Sequence, residues 1–161
     1  MKKFVLESER DRDAAIAFLR ILPLEHDQDV IVQDHKESRS VAANRLYWQW
    51  NTTISGETGE TKEAVHKRLK KAHLVKIFER DDGGYADMVD AIRSVYKNGM
   101  KAEAYALHDK IVELTSTTQA SVHQFHEYLE DIEKECAEQQ IVLPHPDDIY
   151  WSAMGISRKK P

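Results

Sequence analysis

Apolar residues fall into compact runs at the start of the chain and into helical spacing after it. Phe4, Val5 and Leu6 form a β-prone run that predicts a short strand over residues 2–6. Asp11 or Asp13 can cap the helix that follows, whose apolar side carries Ala14, Ile16, Ala17, Leu19 and Leu22 and which Pro23 ends. Val30, Ile31 and Val32 predict a second strand, so the opening unit reads as strand, helix, strand, with the helix covering one side of a small sheet.

Helical periodicity dominates the rest. Ser38 or Ser40 can begin a helix in which Val41, Asn44, Trp48 and Ile54 or Ser55 share one side, with Arg45 and Tyr47 pointing elsewhere; Gly56 and Gly59 offer its end. Thr61 can cap a helix holding Val65, Leu69, Ala72 and Leu74. Residues 75–78 predict a third strand, and Asp81-Asp82-Gly83-Gly84 a turn. Met88, Val89, Ile92 and Val95 recur as on a helix, Asn98-Gly99 breaks it, and another runs from Ala102 towards Leu114. A last helix from about Ser121 aligns Val122, Phe125, Leu129, Ile132 and Cys136, before residues 141–143 return as a short strand ahead of Pro144 and Pro146. The expected fold is therefore α+β, a small N-terminal sheet with a covering helix followed by a helix-rich region. One domain is expected over residues 1–157, with a flexible basic tail at 158–161.

Composition narrows the class. With 41% hydrophobic and 32% charged residues the chain is neither a membrane protein nor a disordered tail. It has no run near the roughly 20 apolar residues of a membrane span, and its acidic start, Glu7, Glu9 and Asp11, is unlike a signal peptide. A cytoplasmic setting with no membrane partner is expected. A single cysteine, Cys136, excludes an internal disulfide and a cysteine-rich metal site, and its place on an apolar helix side marks it as a core residue. The net charge of −5 is unevenly spread: residues 36–76 are net basic and residues 127–148 strongly acidic, an asymmetry that can steer a polyanion to one face.

Candidate chemistry follows from that asymmetry. Lys67, Arg68, Lys70 and Lys71 surround one helix and can neutralise successive phosphates without reading bases. Arg39, Arg45, Tyr47, Trp48 and Trp50 lie in the preceding block, where exposed aromatics could stack on unpaired bases; the helical period places Trp48 mainly in the core. His123, His126 and Glu127, with distant His145 or Asp147, could form a divalent-metal site, although surface histidines beside an acidic stripe explain the same residues. Asp81, Asp82, Asp87 and Asp90 read more simply as a helix start than as a magnesium site. Gly83-Gly84 lacks the further glycines and lysine of a phosphate loop, and Tyr150-Trp151 reads as a latch closing the core. No catalytic residue, metal or cofactor is expected.

The block from Glu37 to Trp48, with its Arg39-Ser40, Asn44-Arg45 and Trp48 pattern, resembles the phage NinB family of recombination proteins, the lambda Orf-like recombination mediators. The helix with Thr61, Lys62, Glu63, His66 and Leu69 to Leu74, and the late helix with Phe125, Tyr128, Leu129 and Ile132 leading into Ile141-Val142-Leu143-Pro144, add to the resemblance. It implies single-stranded DNA binding, action beside single-strand-binding protein, a homodimer, and a bacterial or prophage setting. It nominates Arg39, Ser40, Asn44, Arg45 and Trp48 as a family cluster; Val41-Ala42-Ala43 and the expanded region 79–118 depart from the family pattern.

The sequence thus points to a non-catalytic recombination accessory. It would bind single-stranded DNA with little sequence preference through Arg39, Arg45, Lys67, Arg68, Lys70 and Lys71, with Ser40, Asn44 and Trp48 as supporting residues. The alternatives are a protein adaptor using the acidic last helix or residues 144–151, and a metal-dependent nuclease built on His126 and Glu127.

Overall fold

The computed structural model describes residues 2, 4–6, 8–32, 40–146 and 149–156. Every regular element among them is helical: α1 Glu9–Ile21, α2 Val41–Thr58, α3 Lys62–Leu69, a π turn Lys70–Leu74, α4 Val75–Asp81, α5 Gly83–Lys97, α6 Lys101–Leu114, a 3-10 turn Thr117–Gln119, α7 Val122–Glu138 and α8 Tyr150–Ala153. The expected α+β fold with an N-terminal sheet is therefore wrong, since no strand occurs among the described residues. Short apolar runs need partners to form a sheet, and an isolated pair of strands is marginal in water. None of 4–6, 30–32 and 141–143 forms a strand, and the Ile141 amide bonds back to the Cys136 carbonyl at 2.8 Å instead of to a neighbouring strand. Residues 75–78 are helical instead, because extending an existing helix costs far less than starting a strand with nothing to bond to.

Two compact units divide the chain, residues 1–36 and 37–161. In the first, Ser8 rather than Asp11 or Asp13 caps α1, its Oγ accepting from the Asp11 amide at 3.3 Å. The helix ends at Leu22, ahead of Pro23, and the Phe4 ring packs on Phe18 at 5.4 Å. The expected basic tail at 158–161 lies outside the described residues.

In the second unit Ser40 caps α2, and Gly59 ends it in the left-handed conformation at φ 75° that glycine adopts without strain. The buried face of α2 is Ala43, Leu46, Tyr47, Trp50, Asn51 and Ile54. Trp48, expected in the core, is 42% exposed, and Val41 is exposed too. Two stripes compete on this helix, and the one that buries Leu46, Tyr47, Trp50 and Ile54 removes far more apolar surface from water.

From Lys62 to Asp81 the chain is one continuous helix with a π turn inside it. Its core residues Val65, Leu69, Leu74 and Phe78 are spaced by four, five and four, and the wide turn absorbs the five-residue step. Helix α5 packs on α4 and pairs with α6 across Gly99, and the π turn meets α7. A capping box of Ser121 and Gln124 starts α7, which buries Phe125, Tyr128, Leu129, Ile132 and Cys136. Helix α8 returns onto α2: the Trp50 indole donates to the Pro144 carbonyl at 2.8 Å, and the Tyr150 hydroxyl reaches both Glu133 oxygens at 3.1 Å. No helix among the described residues is long and apolar enough to cross a membrane.

Candidate nucleic-acid interface

The four cations of the lysine-rich helix do not form one phosphate-facing stripe. Lys67 and Lys71 both lean on α6, with Lys67 Nζ 3.8 Å from Asp109 and 3.9 Å from Glu113, and Lys71 Nζ 3.6 Å from Asp109. Arg68 faces the other way, bonding Glu60 at 3.2 Å and Glu135 at 2.6 Å. Lys70 is only 7% exposed, and its ammonium donates to the Thr115 carbonyl at 2.9 Å, just past the end of α6. That placement suits a cation, since carbonyls at a helix C-terminus carry partial negative charge. Burial pulls the Lys70 pKa down, and the carboxylates beside Arg68 raise its own against the opposing effect of burial. The half-exposed pairs on Lys67 and Lys71 are weak, yet they cancel much of the positive field that a polyanion would sense.

What remains is the outer face of α2. Ser40, Asn44 and Trp48 follow at helical spacing, with Arg45 and Gln49 beside them. Between Val41 and Ile54 the only charged residue is Arg45, and among the described residues no carboxylate lies within ion-pair distance of it. Arg45 and Gln49 line a shallow cleft of about 260 Å³ with Pro146 and Ile149. Asn44 Oδ1 is buried without a hydrogen-bond partner among the described residues, and the Ser40 hydroxyl is used in capping α2. Arg39, expected to contact phosphate, lies outside the described residues.

Trp48 has a rigid backing that its letters do not reveal. Its ring stacks on His66 of α3 at 5.2 Å and 29°. The imidazole Nδ1 is hydrogen-bonded to the buried Tyr47 hydroxyl at 2.6 Å, and that hydroxyl meets the Tyr128 hydroxyl of α7 at 3.2 Å. One face of the indole is thus held by a ring that three helices position, while the side chain stays partly open to solvent. Sequence spacing put Tyr47 on the wrong side of α2 and did not connect His66 with Trp48. The acidic partners on α6 were detectable, since Lys67 and Lys71 are four apart and so are Asp109 and Glu113.

The nuclease reading fares differently. Glu127 is bound by Arg80 at 2.5 and 2.8 Å, which with Asp81 ties α4 to α7; the hydrogen bond from Arg80 holds Asp81 down to about 2. His145 pairs with Glu133 at 2.7 Å, and Asp147 is outside the described residues. No three metal-ligating side chains converge among the described residues. Cys136 is buried beside Glu135, and burial pushes its thiol up to about 11, far from an activated thiolate. His73 bonds Glu135 at 2.5 Å in the same group as Arg68.

Two histidines give the stability a pH dependence. Burial lowers the pKa of His108, helped by Lys71, and burial lowers that of His126, helped by His123. A β-carbon on Gly155, after α8, would lie 2.6 Å from His126 Cε1, so this ring has little room to rehydrate. With folded values below the ordinary imidazole value of about 6.5, the unfolded chain takes up these protons first as pH falls. Stability is then full above that value and declines below it. Thermal melts at descending pH from neutrality should show a falling midpoint, and replacing both histidines by glutamine should flatten the slope; an unchanged slope would refute this assignment. No protein-family model, curated protein or solved structure matches the chain.

Proposed function

We propose that the chain is a non-catalytic binding protein whose outer α2 face takes single-stranded nucleic acid, with a base on Trp48 and a phosphate on Arg45. The observation that carries this reading is the half-exposed indole, backed by His66, one helical step from a cation with no described carboxylate beside it. Stacking accepts any base and arginine reads charge, so little sequence preference follows. Together with the resemblance noted above, this favours a phage recombination accessory in a bacterial cytoplasm, acting beside single-strand-binding protein. The pairing of Lys67, Arg68 and Lys71 with carboxylates, and the burial of Lys70, make the outer α2 face the better-supported phosphate contact in this reading. The same neutralisation favours a second reading, a protein adaptor, in which the cleft beside Pro146 and Ile149 receives a peptide side chain.

Fluorescence anisotropy with labelled single strands and matched duplex across a salt series separates the two. Trp48→Ala should weaken single-strand binding by about 1–3 kcal/mol, the usual worth of one stacked base. Arg45→Ala should reduce the salt slope by about one, whereas Lys71→Ala should change little. Wild-type protein that binds neither form at low salt would sink the nucleic-acid reading and leave the adaptor.

A further inference from the structure

The N-terminal unit leaves one contiguous apolar run open. Val30, Ile31 and Val32 follow one another without a charge between them, lie in neither helix nor strand, and are 64%, 79% and 88% exposed. None of the described residues from 1 to 36 is buried, so the unit has no core in which the run is sheltered. The Gln28 side chain donates to the Pro23 carbonyl at 3.0 Å and fastens the turn that leads into the run. Among the described residues no backbone hydrogen bond engages 28–32, and a free main chain of this kind is open to a partner.

Residue type and charge together identify the occupant. Three β-branched side chains in a row favour pleated backbone, and a free segment of that kind binds by adding itself as a strand to an open sheet edge. Glu25, Asp27 and Asp29 precede the run and Asp34 follows it, with Lys36 the only lysine or arginine from 25 to 36. The ion pairs described in this unit join Arg12 to Glu9 and Asp13, so none of them engages Glu25, Asp27 or Asp29. Acidic flanks repel a nucleic acid or an anionic lipid surface, and two copies of the run side by side would crowd like charges onto one ribbon. We propose that residues 28–32 add as a strand to the exposed sheet edge of a protein partner whose edge strand is flanked by lysine or arginine. In that ladder Val30 and Val32 lie on one face and Ile31 on the other. Main-chain bonds supply the affinity, and the carboxylates choose the partner. Residues 4–6 do not occupy the run: they form no strand, and the Phe4 ring is held on Phe18 with the Lys2 ammonium over both rings. This inference stands apart from nucleic-acid binding at α2 and from the cleft beside Pro146, and does not depend on either.

Nuclear magnetic resonance of the full chain tests it, with a disulfide-closed hairpin peptide as the probe. The hairpin has one open edge strand, rich in valine and threonine, with lysines at both ends, and circular dichroism verifies that each variant keeps the wild-type helical content. At saturation, hydrogen exchange should slow at alternate amides, either Gln28, Val30 and Val32 or Asp29 and Ile31, because the other set points away from the new ladder. A hairpin with glutamates in place of the lysines should bind at least about threefold more weakly, and Asp27→Lys/Asp29→Lys should reverse that preference. Of Val30→Pro and Ile31→Pro, the one that removes a bonded N–H should weaken binding by more than about tenfold and the other by less. No binding of the lysine hairpin at millimolar concentration overturns the proposal. Slowed exchange at 28–32 in the free chain overturns it too, since the run is then already paired within the chain or with a second copy. Protection without alternation, or binding indifferent to the charge of the hairpin, overturns it equally.

Discussion

Trp50→Ala should lower the unfolding free energy by about 3–5 kcal/mol, the usual range for deleting a buried aromatic. Trp50 is fully buried and stands where α2, the segment after α7, and α8 meet. Its ring lies 6.1 Å from His145 and 6.4 Å from Tyr150, and its N–H satisfies the Pro144 carbonyl. Truncation removes the surface on which α8 is laid and leaves that carbonyl without its donor. The urea midpoint should fall at nearly constant slope, as for a change in stability alone. Early proteolysis between residues 144 and 156 should accompany it, because α8 loses its footing before the rest of the core opens. Trp50→Phe keeps most of the ring but not the donor, so its loss should be smaller, about 1–3 kcal/mol. A Trp50→Ala loss under about 1 kcal/mol, within the range of ordinary surface substitutions, would show that the latch does not depend on this residue.

The helices were legible in the chain because their signals are local. Ser40, Thr61 and Ser121 cap where their hydroxyls precede apolar periodicity, Gly59 and Asn98-Gly99 close helices, and Phe125, Leu129, Ile132 and Cys136 line the core side of α7 as their spacing demands. The sheet was misread because runs such as 30–32 and 75–78 look the same whether they bond sideways, stay irregular or continue a helix, and periodicity over three or four residues does not distinguish the cases. The side of α2 was misread for another reason. Tyr47, Trp48 and Trp50 are all large and apolar enough for a core, and only Tyr128, His66 and Pro144 on other elements decide which two are taken in. The π turn has the same character: the five-residue step from Leu69 to Leu74 is visible in the sequence, but it reads as a break in periodicity until the helix is seen to widen around it.

The candidate site was half legible. Arg45 was singled out as a phosphate contact, whereas Trp48 was expected mainly in the core and lies instead on the outer α2 face. The lysine-rich helix was read from its charge alone, whereas the effect of a cation on a distant phosphate depends on what else it touches. Asp109, Glu113, Glu60 and Glu135 lie 8 to 67 residues away from the cations they engage. An excess of basic residues along 36–76 therefore does not become an equal excess of field at the surface, and Glu135 of the acidic stretch is in part the counter-charge to it through Arg68.

Lys70→Glu tests that distinction most sharply. On an exposed phosphate-binding surface this change would abolish binding and leave the fold intact. Lys70 is buried, so the new carboxylate would instead face the Thr115 carbonyl, in the field of Glu113 that now favours the ammonium. A buried charge deprived of its partner costs on the order of 3–5 kcal/mol. Lys70→Met keeps the length of the chain but withdraws the donor, and should cost about 1–3 kcal/mol. Lys71→Glu, one residue on, breaks only a half-exposed contact with Asp109 and should cost under about 1 kcal/mol. Urea unfolding of the three variants should give that order, and loss of nucleic-acid binding in Lys70→Glu would then report unfolding rather than a missing phosphate contact. If Lys70→Glu is as mild as Lys71→Glu, the ammonium is not holding the π turn to the end of α6, and Lys70 returns to the solvent-facing cations available to a polyanion.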